Sequence, residues 1–114
     1  MGLDVRVRAV KAIICHHCGE RAGHDVIYEY YSGGKVWYPF LEKIGYYVPP
    51  EARVADDDGY HWYQKDMVLT AEQRHELLTF VDKHHEEIGN ADFIHALIIG
   101  ACAFKSDIAI NADW

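Results

Sequence analysis

Leu3-Asp4-Val5-Arg6-Val7-Arg8-Ala9-Val10-Lys11-Ala12-Ile13-Ile14, running straight into Cys15-His16-His17-Cys18-Gly19-Glu20, is the stretch on which the fold turns. Leu3, Val5, Val7 and Ala9 alternate with Asp4, Arg6 and Arg8. A period of two marks a half-buried strand, because successive side chains point to opposite faces. Arg6 and Arg8 then fall on the solvent face. The strand becomes wholly apolar at Ala12-Ile13-Ile14 and ends in a Cys-x-x-Cys-Gly turn. Such a turn brings two thiolates to one point, where the following backbone N–H groups can hydrogen-bond the sulfurs. A divalent metal, zinc above all, is what it most often holds.

Val26 to Tyr31 reads as a second strand, joined to the first through the cysteine turn. Ser32-Gly33-Gly34-Lys35 reads as a hairpin turn returning into a third strand, Val36-Trp37-Tyr38. Pro39 suits the first turn of a short helix, Phe40 to Ile44, which Gly45 would end. After Pro49-Pro50 comes an irregular acidic segment, 51–66, rich in aromatic rings (Tyr60, Trp62, Tyr63). Thr70 and Gln73 have the spacing of a capping box, which opens a helix expected to run to about Glu87 with Leu77, Leu78, Val81 and Ile88 in one stripe. Asn90 is placed to cap a second helix, Ala91 to about Lys105, whose inward face would be Phe93, Leu97, Gly100, Ala101 and Phe104, widened by Ile94 and Ile98. The alternation of Ile108 and Ile110 with small residues predicts a last strand.

The expected fold class is therefore α+β: a small antiparallel sheet with an N-terminal zinc-knuckle-like turn and two C-terminal helices packed on the sheet. One domain of 114 residues would hold strands, knuckle and hairpin in 1–38, a short helix and the acidic aromatic segment in 39–69, two helices in 70–105 and the final strand in 107–114.

The formal net charge of −7 is unevenly spread: residues 1–24 carry a net +2 and the remainder a net −9. An acidic body repels phosphate backbones, so nucleic acid is disfavoured as a partner, and another protein or a second copy of the chain is preferred. The apolar run Phe93 to Phe104 is too short to span a bilayer, and the alternating charge of the first residues does not form a signal peptide. With three cysteines, an odd number, a disulfide framework is disfavoured and a cytoplasmic location is expected.

Zinc requires four ligands at tetrahedral positions. Cys15 and Cys18 supply the first pair, and His24, a short span further on, is the best third candidate. The fourth stays open among His16, His17, His61, His84, His85, His95 and Cys102. Of these, His16 and His17 lie inside the turn, where side chains usually point away from an ion held by the flanking sulfurs. His95 and Cys102 are seven positions apart on one helix, about 10.5 Å, too far for one ion to take both. Cys102 reads more simply as a buried small hydrophobe. Two alternatives for the pair are reduced cysteines in a turn and a redox couple, although a redox motif usually opens a helix after a strand. Asp56-Asp57-Asp58 with Glu51 and Asp66 lacks EF-hand spacing and reads as a solvated acidic loop. No phosphate-cradling glycine loop and no nucleophile with a histidine partner is suggested, so catalysis would need a metal-bound water at Cys15, Cys18 and His24 with one position open. A closed structural zinc site is expected ahead of that.

Met1-Gly2-Leu3-Asp4, Cys15-His16-His17-Cys18-Gly19-Glu20, Gly33-Gly34-Lys35-Val36-Trp37-Tyr38-Pro39-Phe40-Leu41 and Ile110-Asn111-Ala112-Asp113-Trp114 together resemble short uncharacterised proteins encoded in bacteriophage and prophage regions. The resemblance spans most of the chain and implies a bacterial or phage cytoplasmic setting, with no reaction attached. In that group the second position of the turn is often proline, where this chain has His16, which leaves the cysteines intact and raises the chance of a role for His16. Three functional expectations follow: a structural zinc domain acting through protein contacts, an acidic phage inhibitor of a host nucleic-acid-binding protein, and a metal-dependent hydrolase.

Overall fold

Strand β1, Asp4–Ile14, follows from the alternation that opens the chain. Leu3, Val5, Val7 and Ala9 are buried, while Arg6 and Arg8 lie on the opposite face. The structure, a computed structural model, describes residues 2–54, 59 and 61–114. The expected triple aspartate, Asp56 to Asp58, and the ring of Tyr60 lie outside the described residues.

Two register slips on β2 (Arg21–Gly33), which leave Ile27 and Ala22 without partners, accompany the pairing of β1 with β2. β2 starts five residues before the expected Val26, because the cysteine turn is tight enough for pairing to resume at Arg21 opposite Ile14. On its other side β1 pairs with β4, Asp107–Asp113, so the last strand is central; β3, Met67–Val68, unforeseen in the sequence, pairs with β4. The antiparallel order is β2-β1-β4-β3.

The third strand expected at Val36-Trp37-Tyr38 does not form. Lys35–Trp37 is a 3-10 turn leading into helix α1, Tyr38–Lys43. Gly34, at φ 96° and ψ 164°, turns the chain out of the sheet, and Trp37 N–H donates to the Gly34 carbonyl at 3.2 Å. The Trp37 ring is fully buried, and its indole N–H donates to Ser32 Oγ at 2.9 Å. Burying that ring outweighs extending the sheet, and Pro39 is compatible with the first helical turn.

Helix α2, Ala71–Lys83, has the expected capping box in both directions: Gln73 N–H donates to Thr70 Oγ1 at 3.1 Å, and Thr70 N–H donates to Gln73 Oε1 at 2.9 Å. It ends at Lys83, four residues before Glu87, with irregular turns completing the path to buried Ile88. Helix α3, Ala91–Ala103, begins without the side-chain cap expected of Asn90. Asn90 is left-handed, φ 63°, because the chain reverses within two residues, and its amide donates instead to the Tyr31 carbonyl of β2.

The helices α2 and α3 cover the face of the sheet formed by Val5, Val7, Ile108 and Ile110, with Leu77, Val81, Ile94 and Ile98 in the same core. The inward stripe of α3 is Ala91, Ile94, Ile98 and Ala101. Of the expected face, Phe104 is exposed, and Phe93 stacks outside the core on Tyr30 at 5.3 Å between ring centroids. The run Phe93-Ile94 and Leu97-Ile98 is apolar over too wide an arc for spacing to choose the stripe; the small Ala91 and Ala101 let the helix approach along the other line. Cys102, one position from buried Ala101, points to solvent and is not the expected buried hydrophobe.

The opposite face of the sheet carries a second, smaller set. Val10 and Ala109 are fully buried yet stand apart from the main core, and the register places them on this face beside Arg6, Arg8, Asn111 and Asp113. The segment before β3 closes over it, held where Tyr46 OH accepts from Ala112 N–H at 2.8 Å and donates to the Lys65 carbonyl at 2.7 Å.

Candidate functional site

β4 pairs with β1 only as far as Val10, so Lys11–Ile14 and Arg21–Asp25 continue as a two-stranded arm past the body of the sheet. The cysteine turn closes the end of this arm. Cys15 N–H donates to the Glu20 carbonyl at 2.8 Å, and Gly19 N–H donates to the Cys15 carbonyl at 2.9 Å, with Gly19 at φ 72°. That left-handed glycine lets the loop curl back over its first sulfur. The backbone N–H groups of Cys18 and His17 donate to Cys15 Sγ, as does the Cys18 thiol, and together they hold the Cys15 thiol below its ordinary range. All three cysteines are free thiols: Cys15 half-buried, Cys18 and Cys102 exposed. His16 and His17 are exposed on the same turn.

His24 is drawn elsewhere. Register sets it opposite Ala12, three steps down the ladder from Cys15, or about 10 Å at about 3.3 Å per residue. Its Nε2 lies 2.7 Å from Asp66 Oδ2. The remaining ligand candidates are dispersed. His61 packs edge-on against Trp62; His84 lies against Phe80 with Glu87 at 3.8 Å; His85 bonds Asp92; His95 Nδ1 lies 2.8 Å from Asp82. Cys102 is on the exposed side of α3. Among the described residues, no three His, Cys, Asp or Glu side chains are arranged to hold an ion. The turn is therefore a two-sulfur arrangement, and the expected triad Cys15, Cys18 and His24 is not assembled within it.

Behind the arm, on the sheet face opposite the helices, is an ionic cluster that spacing alone did not reveal. Arg8 Nη1 donates to Asp66 Oδ1 at 2.7 Å and Arg8 Nε to Glu29 at 3.0 Å. Asn111 Nδ2 donates to Asp66 Oδ1 at 2.8 Å, while Asn111 Oδ1 accepts from Arg6 at 3.0 Å; Arg6 also donates to Asp113 at 2.9 Å. Asn111 is 6% exposed, the buried polar residue at the centre. Burial pushes the Asp66 carboxyl up, but hydrogen bonds from His24 and Asn111 and the charge of Arg8 outweigh it and hold Asp66 below the usual carboxylate range. With both oxygens already bonded, Asp66 ties the segment before β3 to the sheet and offers no free base. One sequence signal pointed here: the alternation of 107–113 puts Asn111 and Asp113 on the face opposite Ile108 and Ile110.

The chain matches no family model, no curated protein and no solved structure. Among the described residues no helix is long and apolar enough to cross a membrane.

Proposed function

We propose that this chain is a small zinc-binding domain that acts through contacts with another protein, its metal gripped by Cys15 and Cys18 at the tip of the β1–β2 arm. The observation that carries this reading is the closed turn: Cys15 N–H donates to the Glu20 carbonyl at 2.8 Å and Gly19 N–H to the Cys15 carbonyl at 2.9 Å, which sets Cys15 and Cys18 together at the tip. Backbone hydrogen bonds from Cys18 and His17 also hold the Cys15 thiol below its ordinary range, which favours the thiolate, the form that binds zinc. A turn with few apolar side chains of its own also gains from metal, since binding there adds to folding free energy.

The net charge of −7 supports a protein partner over a nucleic acid. Free thiols fit a reducing cytoplasm, and the bacterial or phage setting rests on the resemblance alone. An open catalytic position would need a third ligand of the same chain; His24, bonded to Asp66, gives the hydrolase reading no support.

Elemental analysis of untagged protein, grown with zinc and kept reduced, tests the reading. Bound zinc is expected, with Cys15→Ser and Cys18→Ser each losing it and melting at lower temperature. Wild-type protein without zinc, or serine variants that keep it, would overturn the proposal.

A further inference from the structure

We infer that the zinc is shared: two copies of the chain meet tip to tip, and Cys15 and Cys18 of each complete one four-sulfur site. This rests on the reading that the turn takes zinc. A tetrahedral ion needs four ligands, and the turn supplies two. His24 is held by Asp66 about three register steps away, and no third side chain of the described residues converges on the sulfurs. The described residues thus leave two positions of a tetrahedral ion to be filled, and a second copy of the same turn brings the same pair of sulfurs.

The arm is shaped for that meeting. It overhangs the sheet, so its tip can touch another copy before the bodies collide. The body is strongly acidic, but residues 11–25 balance Lys11 and Arg21 against Glu20 and Asp25, so two arms approach without net repulsion. Ile13 and Ile14, 44% and 51% exposed, lie directly beneath the turn and provide apolar surface to cover once the tips join. A two-fold axis through the ion relates the copies, as closed pairing of identical surfaces requires. Two hairpin tips bury far less than the roughly 1,200–2,000 Å² of a stable interface, so the metal must hold the pair.

Native mass spectrometry and light scattering on untagged, reduced wild-type protein read the outcome directly. The expected species is a dimer with one zinc per two chains. A chelator should return it to monomers whose far-ultraviolet spectrum is unchanged, because the arm lies outside the core. Cys15→Ser and Cys18→Ser should be monomeric and zinc-free, and His24→Ala should remain a zinc-bridged dimer. A monomer with one zinc per chain would overturn the sharing and leave the zinc reading standing. Protein without zinc would end both. A dimer that survives chelation and the serine substitutions would show an interface without metal and overturn the inference.

Discussion

His24 Nε2 and Asp66 Oδ2 lie 2.7 Å apart, and that contact separates two roles the sequence had merged. The imidazole belongs to the ionic cluster on the sheet face opposite the helices, whereas the sulfurs belong to the tip of the arm. Asp66 accepts from Arg8 and Asn111 as well, and its side chain is 14% exposed. Asp66→Ala would strand these donors in a largely dry setting and should cost about 2–3 kcal/mol, the scale for unmet buried partners and broken charge pairs. Urea unfolding measures the loss, and zinc content should not change. A drop in zinc with stability intact would place Asp66 in the metal site instead.

The same cluster sets the acid limb of stability. Hydrogen bonds from Arg6 hold Asp113 below the usual carboxylate range, as His24, Asn111 and Arg8 do for Asp66 against the opposing effect of burial. A carboxyl whose folded value lies below its unfolded one stabilises fully above the unfolded value, and that contribution disappears as pH falls through the folded value. Stability should therefore begin to fall near about pH 4, the ordinary carboxylate value, and continue downward. Unfolding midpoints between neutral and strongly acidic pH should show this limb, and the double variant Asp66→Asn, Asp113→Asn should flatten it.

Tyr46 acts as a missing strand partner. β3 pairs with β4 only at Ile110 and Ala109, and the buried Tyr46 hydroxyl accepts from Ala112 N–H further along, at 2.8 Å. Tyr46→Phe keeps the ring and removes that acceptor, together with the donor to the Lys65 carbonyl. The expected cost is about 1–3 kcal/mol, with faster amide exchange at Ala112 as the specific signature. Unaltered exchange there would show that the hydroxyl is not what protects the strand.

What could be read in advance was local. The β1 alternation needed only side-chain period, and the Thr70–Gln73 box needed only four residues; both formed as expected. The misread parts depended on distant partners. Arg6 and Arg8 were placed on the correct face, but their partners Asn111, Asp113 and Asp66 come together only once β4 inserts beside β1, more than a hundred residues away in two cases. Trp37 followed its burial and its bond to Ser32 rather than strand propensity. The tight Cys15–Glu20 turn was legible, while the place of His24 beside Asp66 was not, because proximity in sequence does not fix where a strand points its histidine.

The double glycine gives the sharpest contrast between what spacing suggests and what the backbone requires. Gly33 and Gly34 suggested a two-residue hairpin turn, yet each is needed for its own reason. A Cβ on Gly33 would sit 2.6 Å from the Leu3 carbonyl oxygen, a backbone atom that accepts from Gly34 N–H at 3.0 Å and cannot move aside. Gly33→Ala should therefore destabilise by about 1–3 kcal/mol, as overpacking does. At Gly34 a Cβ would meet nothing within 4 Å, but φ 96° and ψ 164° lie in a region open essentially to glycine alone. Gly34→Ala should cost a similar amount, about 1–3 kcal/mol, through backbone strain. The two can be told apart with a D-amino acid: D-alanine, introduced by chemical ligation, should restore stability at position 34, where positive φ is the difficulty. Failure of D-alanine to rescue position 34 would show that space, not backbone conformation, demands glycine there.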